Sequence, residues 1–292
     1  MNANNLSDRD ETHELILKRL GTAPVDFSEQ FSRVRTMRTS DRRWLAAGVL
    51  LPLFFRENET AGEGEFVFQL IKRSRNVPQS GDLSAPGGML NPLADKIFMN
   101  LIISGIFPML RGGSRKYLRQ RSEEKRDVVL FLANALRESW EEVRLNPFNV
   151  RFLGALPSYT LSLFPRVIFP VVGLVRTPWR FRPNWEVEKV VEIPLAAFFR
   201  DENYAFFSLS HHGDGNGTSP VSWQFPCLIH REPGGNDEIL WGATFNIILS
   251  FLKAVFDHEL PEIDRDNQVH RTIDASYMTG SAHGHGNRRH RE

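Results

Sequence analysis

Apolar residues recur along this chain in two rhythms. From Asp127 the run DVVLFLANALRESWEEV contains no Gly or Pro, and Val128, Leu132, Leu136 and Val143 share one arc at about 100° per residue. That spacing predicts an amphipathic helix with a core stripe. WGATFNIILSFLKAVF, from Trp241, predicts a second, and SDRDETHELILKRL near the N-terminus begins with capping residues. Shorter apolar runs read as strands: WLAAGVLLPLFF, GEFVFQLIKRS, VRFLGALPSYT, RVIFPVVGLVR, VEKVVEIPL, YAFFSL and VSWQFPCLIH. LAAFFRD reads as a short helix between two of them. Strands interleaved with helices predict an α/β or α+β domain.

Composition narrows the class. With 292 residues, 41% of them hydrophobic, the chain can bury a sizeable core, and the net charge of +1 argues against a dedicated nucleic-acid binder. The single cysteine, Cys227 in QFPCLIH, excludes an internal disulfide and reads as a buried strand thiol. The N-terminus is polar and acidic, unlike a signal peptide, and no apolar run reaches the roughly 20 residues a membrane span needs. Together these predict a cytoplasmic protein without a transmembrane segment. The texture divides it into an N-terminal helical extension over 1–44, a domain over 45–258 with an insertion at about 95–126, and a tail over 259–292. The tail closes with HGHGNRRHRE, has little apolar content and is expected to be disordered.

Glu138, Glu141 and Glu142 fall at i, i+3, i+4 on the arc opposite the core stripe of the Asp127 helix. Like charges at that spacing destabilise a helix by tenths of a kcal/mol. Either the face is simply solvated, or the carboxylates converge on a hard divalent cation whose charge removes the repulsion. Upstream, the loop VPQSGDLSAPGGMLNP holds the pair Gly87–Gly88, which lets backbone approach a phosphate or pack closely against a helix.

The combination of Pro86-Gly87-Gly88 with LRESWEEV resembles the Nudix box, in which a glycine and a glutamate precede Arg-Glu-hydrophobic-x-Glu-Glu-x-Gly. LIKRSRNVPQSGDLSAPGG is similar to the signature of the coenzyme A pyrophosphatase branch, with Arg73, Ser74, Gly81 and the Pro-Gly-Gly in place. EVEKVVEIPL resembles that branch's Glu-Val segment and puts Glu186 at its glutamate, and LWGATFNIIL resembles its C-terminal helix start. The likeness runs from about 45 to 255. It implies an α/β/α sandwich with a mixed β-sheet, here with a helical insertion. It also implies metal-dependent cleavage of the diphosphate in coenzyme A, acyl-coenzyme A or a related nucleoside diphosphate derivative, a small-molecule nucleotide substrate. By the same resemblance Glu138, Glu141 and Glu142 would ligate Mg²⁺ or Mn²⁺, and Arg137 would orient a carboxylate. Glu186 would be a further ligand or general base, and Arg73, Ser74, Gly87 and Gly88 would bind substrate.

The pattern also departs from the family. The box's first glutamate falls on Ala94, with Asp95 beside it as a candidate replacement, and a long insertion separates Gly88 from Arg137. The glycine after Glu-Glu-Val is Arg144, and the Phe before Pro-Gly-Gly is Ala85. These changes leave two other readings open: a hydrolase of a different nucleotide derivative, or a catalytically weak nucleotide-binding module. KIFMNLIISGIFPML and the basic RGGSRKYLRQRSEEKR that follows read as a helical pair packed on the domain with an exposed basic face. A lid, a homodimer surface, a shallow membrane contact or attraction of substrate phosphates are the alternatives. His211–His212 sit in a Gly-rich turn and read as loop. Trp140, Trp223 and Trp241 read as packing or as a base-stacking surface, and Ser158-Tyr159-Thr160 as a strand end beside the site.

Overall fold

Alternation along two long apolar runs sets the centre of the fold. β3 (Leu45–Glu57) and β9 (Arg166–Val175) lie parallel, Leu45 beside Arg166 and Phe54 beside Val175. Leu50, Phe169 and Val171 enter the core on one face, and Leu51, Leu53, Ile168 and Val172 enter it on the other. Burial on both faces explains why these strands read as near-continuous apolar runs.

The structure, a computed structural model, describes residues 6, 8–39, 42–57, 64–110, 113–161, 164–211, 221–232, 235, 237–273 and 277. Around β3 and β9 the main sheet adds β4 (Gly64–Arg73), β7 (Val150–Ala155) and β10 (Val187–Pro194), in the order β10-β4-β3-β9-β7. β5 (Leu83–Ser84) pairs with β4, β6 (Gly87–Met89) with β3, and β8 (Tyr159–Thr160) with β9. β1 (Arg38–Thr39) and β2 (Arg42–Arg43) form a small ribbon. A second sheet, ordered β13-β12-β11-β14, comprises β11 (Tyr204–His211), β12 (Val221–Arg231), β13 (Asp237–Trp241) and β14 (Gln268–Ile273).

Helices cover both faces of the main sheet, giving three layers of an α+β fold. α1 (Arg9–Thr22) and α6 (Gly242–Phe256) share one core, with Ile16 and Leu20 in the same cluster as Phe245 and Phe251. α2 (Phe27–Thr36), α3 (Pro92–Ile103), α4 (Gly113–Gln120) and α5 (Lys125–Val143) share the other. The Asp8 carboxylate caps α1 by accepting the Asp10 and Glu11 N–H groups at 3.0 and 2.9 Å. Helices α1 and α2 are therefore built into the domain: Phe27 of α2 packs edge-on to Phe131 and Phe169, which stack at 3.9 Å.

The stripe Val128, Leu132, Leu136 and Val143 is buried on α5, but so are Val129, Phe131, Ala133 and Ala135. The helix lies between the sheet and α3, so it has little solvated face. α3 buries Met99 and Ile102, and on α4 the Ser114 hydroxyl donates to the Phe152 carbonyl while the Ala155 N–H donates to Tyr117 at 3.0 Å. The insertion is a packed helical pair, with Leu93, Ile97, Ile103 and Ile106 left exposed.

Expected disorder from 259 onward does not hold over Gln268–Ile273. That segment is β14, parallel to β11 from Phe206 to His211, and Tyr277 beyond it is buried in a third cluster with Phe207 and Cys227. Backbone pairing and that one ring anchor a segment whose composition looked too polar to fold. The closing HGHGNRRHRE and His212 lie outside the described residues. Cys227 is buried, and burial pushes its thiol up to about 12.

Candidate active site

A fork in the sheet creates the site. β3 pairs through Leu53–Glu57 with β4 and through Ala47–Val49 with β6. β9 occupies the other edge of β3, so β4 and β6 share one edge, and the chain between β5 and α3 lies in the gap against α5. Asn134 holds the gap together: its Oδ1 accepts the Gly48 N–H at 2.6 Å, and its amide donates to the Met89 carbonyl and to Asp95, both at 3.1 Å. A buried amide bridging a strand, a loop and a helix leaves none of these backbone groups orphaned.

Two of the three glutamates face this loop. The Gly87 N–H donates to Glu142 Oε2 at 3.0 Å, and a Cβ on Gly88 would stand 2.5 Å from Glu138 Cδ. Only a residue without a side chain lets the loop approach so near. Glu142 is 5% exposed, and its burial raises the pKa to about 8. The Gly87 N–H and Arg73 pull that value down, while Glu138 and Glu186 push it up. Burial also raises the pKa of Glu138 against the pull of Arg137. The solvated-arc picture is therefore wrong for Glu142, and it fits Glu141 alone, whose side chain is 51% exposed.

Arg137 joins the acids. Its guanidinium donates to Asp95 at 2.7 Å, to Glu138 at 2.7 Å and to both oxygens of Glu141 at 3.1 Å. Burial alone would lower its pKa, but hydrogen bonds to Asp95 and Glu141 hold it above the ordinary value. Asp95 is fully buried and also accepts the Asn91 N–H at 2.7 Å. Its oxygens face Arg137, Asn91 and Asn134, so it orients the arginine and is not an open ligand position.

The signature residues form the opposite wall. Arg73 N–H donates to the Asp82 carbonyl and Gly81 N–H to the Arg73 carbonyl, at 3.0 and 2.9 Å, closing the loop between β4 and β5. Ser74 donates its hydroxyl to the Trp185 carbonyl and its N–H to the Glu186 carbonyl, both at 2.8 Å. Ser74 thus fixes Glu186 beside the site through backbone, and Glu186 lies close enough to raise the Glu142 pKa. Ala85, which stands where the family has Phe, donates its N–H to Thr244 at the start of α6 at 3.3 Å. Arg144, in the place of the family's glycine, adopts the left-handed conformation with φ 63° and lies over Trp140 at 5.5 Å.

Trp241, Trp223 and Ser158 make no hydrogen bond to these carboxylates among the described residues. Trp241 packs against Phe207 and Phe225, Trp223 is exposed on β12, and Ser158 is held by Asp26 through its N–H at 2.8 Å and its hydroxyl at 2.9 Å. Two residues lie outside every sequence motif. Asn134 carried a signal, a lone amide inside an apolar helix. Arg166 carried none; its Nε is buried without a hydrogen-bond partner among the described residues, and burial together with nearby Arg73 lowers its pKa.

No family model matches the chain. Among curated proteins it is similar to "Nudix hydrolase 22, chloroplastic" of Arabidopsis thaliana, 26% identical over 261 residues, covering 86% of this chain and 68% of that protein. It is 26% identical over 218 residues to "Nudix hydrolase 15, mitochondrial" of the same plant, covering 72% and 59%. It is 42% identical over 74 residues to "Uncharacterized Nudix hydrolase NudL" of Pectobacterium atrosepticum, covering 25% and 38%. These relatives support a place in the Nudix hydrolase superfamily. The chain spans just over two thirds of the first relative's length and less than two thirds of the other two. Among solved structures it is similar to a Nudix hydrolase from M. smegmatis, RenU, over 54% of this chain and 77% of that one, at 13% identity and a TM-score of 0.33.

Nudix hydrolases generally need divalent cations. Among the described residues no three acidic, histidine or cysteine side chains are gathered closely enough to hold an ion unaided. Glu141 is turned to Arg137. Glu138 and Glu142 nevertheless form a fitting seat, since both are carboxylates whose pKa burial raises, and the charge of Glu138 raises that of Glu142 further. Mg²⁺-type ions are bound by one or two carboxylates, with water and substrate phosphate completing the shell. No helix among the described residues is long and apolar enough to cross a membrane.

Proposed function

We propose that this chain is a Mg²⁺- or Mn²⁺-dependent pyrophosphohydrolase that splits the diphosphate of coenzyme A, acyl-coenzyme A or a related nucleoside diphosphate derivative. The observation that carries this reading is the approach of Glu138 and Glu142 to the Gly87–Gly88 loop at the fork of β3. When bound, a divalent ion there neutralises phosphate charge and lowers the pKa of water. Glu138 and Glu142 would hold it. Arg137 keeps Glu138 aimed at the loop, anchored in turn by Asp95. The Gly88 backbone leaves room for a phosphate where any side chain would meet Glu138. Glu186, tethered by Ser74, supplies a proton acceptor on the facing wall, and Arg73 adds positive charge for the anionic substrate. The coenzyme A preference is supported by Arg73, Ser74, Gly81 and the Pro-Gly-Gly in series. A cytoplasmic setting is supported by composition and the lone buried thiol, although two relatives are named chloroplastic and mitochondrial.

A weak nucleotide-binding module is the second reading, favoured by the engagement of Glu141 with Arg137. Product analysis by mass spectrometry separates the two. The protein would be incubated with Mg²⁺ or Mn²⁺ and coenzyme A, acyl-coenzyme A, NADH, ADP-ribose or diadenosine polyphosphates. Release of 4′-phosphopantetheine and adenosine 3′,5′-bisphosphate, lost in Glu142→Gln, is the expected result. Preferential cleavage of another compound would reassign the substrate, and no metal-dependent turnover of any would leave the binding module.

A further inference from the structure

Beyond Met89 the loop opens into a cavity of about 860 Å³ bounded by α2, α3, α5 and the start of β3. Its walls include α2 and α3, whose lining residues the catalytic chemistry leaves unused. Arg35 comes from α2, Arg43 from β2, Lys96 from α3 and Arg126 from α5, against one lining acid, Asp127. Asp127 already accepts the Ser28 hydroxyl at 2.8 Å. None of the four cations makes an ion pair among the described residues, which leaves the cavity a positively charged rim. The lining also holds two half-buried rings, Trp44 and Phe31, with the Arg35 guanidinium over the latter at 5.8 Å. Rings within a cationic rim suit a base with an attached phosphate.

The cavity is continuous with the fork. Met89 lines it, and the Met89 carbonyl accepts from Asn134 at 3.1 Å and from Arg137 at 3.5 Å. Leu130, also in the lining, lies about two turns before Glu138, roughly 12 Å along the helix axis. A ligand with its diphosphate at Gly87–Gly88 can therefore reach past Met89 into the cavity.

We infer that this cavity receives a phosphorylated nucleoside, the end of the substrate that carries a phosphate monoester apart from the diphosphate to be cut. The inference rests on the proposed hydrolase reading for its substrate, but its own test is binding. Wild-type protein in chelator would be titrated calorimetrically with adenosine 3′,5′-bisphosphate and with AMP. The bisphosphate is expected to bind at least about tenfold tighter, an advantage lost when Lys96→Ala and Arg126→Ala are combined and kept in Arg119→Ala. Both cavity positions are exposed, so the double variant should fold, as a thermal melt would verify. In turnover, the double variant should raise KM for coenzyme A several-fold at constant kcat and leave dephospho-coenzyme A unchanged. Equal affinities for the two nucleotides, or an undiminished advantage in the double variant, overturn the inference even if hydrolysis is normal. A lost advantage in a protein that hydrolyses nothing supports the cavity and sinks the hydrolase reading instead.

Discussion

Burial would keep the Glu142 carboxyl protonated near neutral pH, because its pKa stands at about 8 against an ordinary 4.5. The sign of the consequence follows from linkage. A raised folded-state value means the folded protein holds the proton more tightly than the unfolded chain. In metal-free protein the resulting stability is full below 4.5 and is lost as pH rises through about 8. Each unit of difference corresponds to about 1.4 kcal/mol. Urea denaturation in chelator should therefore show wild type weakening relative to Glu142→Gln between pH 4.5 and 8, with Mg²⁺ at pH 8 restoring wild type only. Parallel pH profiles for the two proteins would refute this.

The paired glycines should separate function from stability. A methyl on Gly88 meets the carboxylate end of Glu138, which can swing away, so Gly88→Ala should cut kcat with little change in unfolding free energy. A methyl on Gly87 meets the Gly48 carbonyl and stands 2.6 Å from Val49 Cα, both backbone, so Gly87→Ala should cost about 1–3 kcal/mol. Denaturation and steady-state kinetics on both variants check this, and similar losses of stability would count against it. The glutamates and glycines could be found from spacing because helix period and loop chemistry are local. Arg166 could not, since its environment is set by burial and by Arg73 from another strand.

On the scale of elements, α5 joins more than its stripe suggested. Periodicity placed Val128, Leu132, Leu136 and Val143 inward, but it could not show that α3 would cover the far side. Asn134 is the price of that arrangement, an amide buried where three elements meet. Asn134→Ala leaves the Gly48 N–H and the Met89 carbonyl without this partner, at about 1–3 kcal/mol. It should also loosen the Met89 end of the loop. Amide exchange of Gly48 and of the 87–90 segment is the direct measure, and unchanged protection there would reject the role. Asp95 shows the converse limit. Its position beside the absent box glutamate was visible in the sequence, but whether it faced a cation or Arg137 depended on how α3 docks.

At the scale of the whole molecule, the C-terminal strand reaches back to the signature loop. Arg271 on β14 donates to Asp82 at 2.9 Å and to the Ser80 carbonyl at 2.6 Å, while Tyr277 donates its hydroxyl to Asp82 and its carbonyl accepts the Gln79 N–H at 2.8 Å. Burial raises the pKa of Asp82 against the pull of Tyr277 and Arg271, so this clasp stays closed only while those partners remain. Nothing in the polar composition after 259 predicted it, because β14 is ordered by pairing with β11 and not by its own apolar content. Removing the chain from Gln268 should therefore free the loop between Arg73 and Asp82 while sparing the main sheet, with which β14 does not pair. Hydrogen exchange should rise in residues 74–82 and stay unchanged in β3 and β9, and KM should increase more than kcat falls, since Arg73 and the Ser74 tether to Glu186 flank that loop. The substitution Arg271→Gln should reproduce the loop exchange in part. Protection of the loop in the truncated chain would mean that the closure between Arg73 and Gly81–Asp82 holds it unaided.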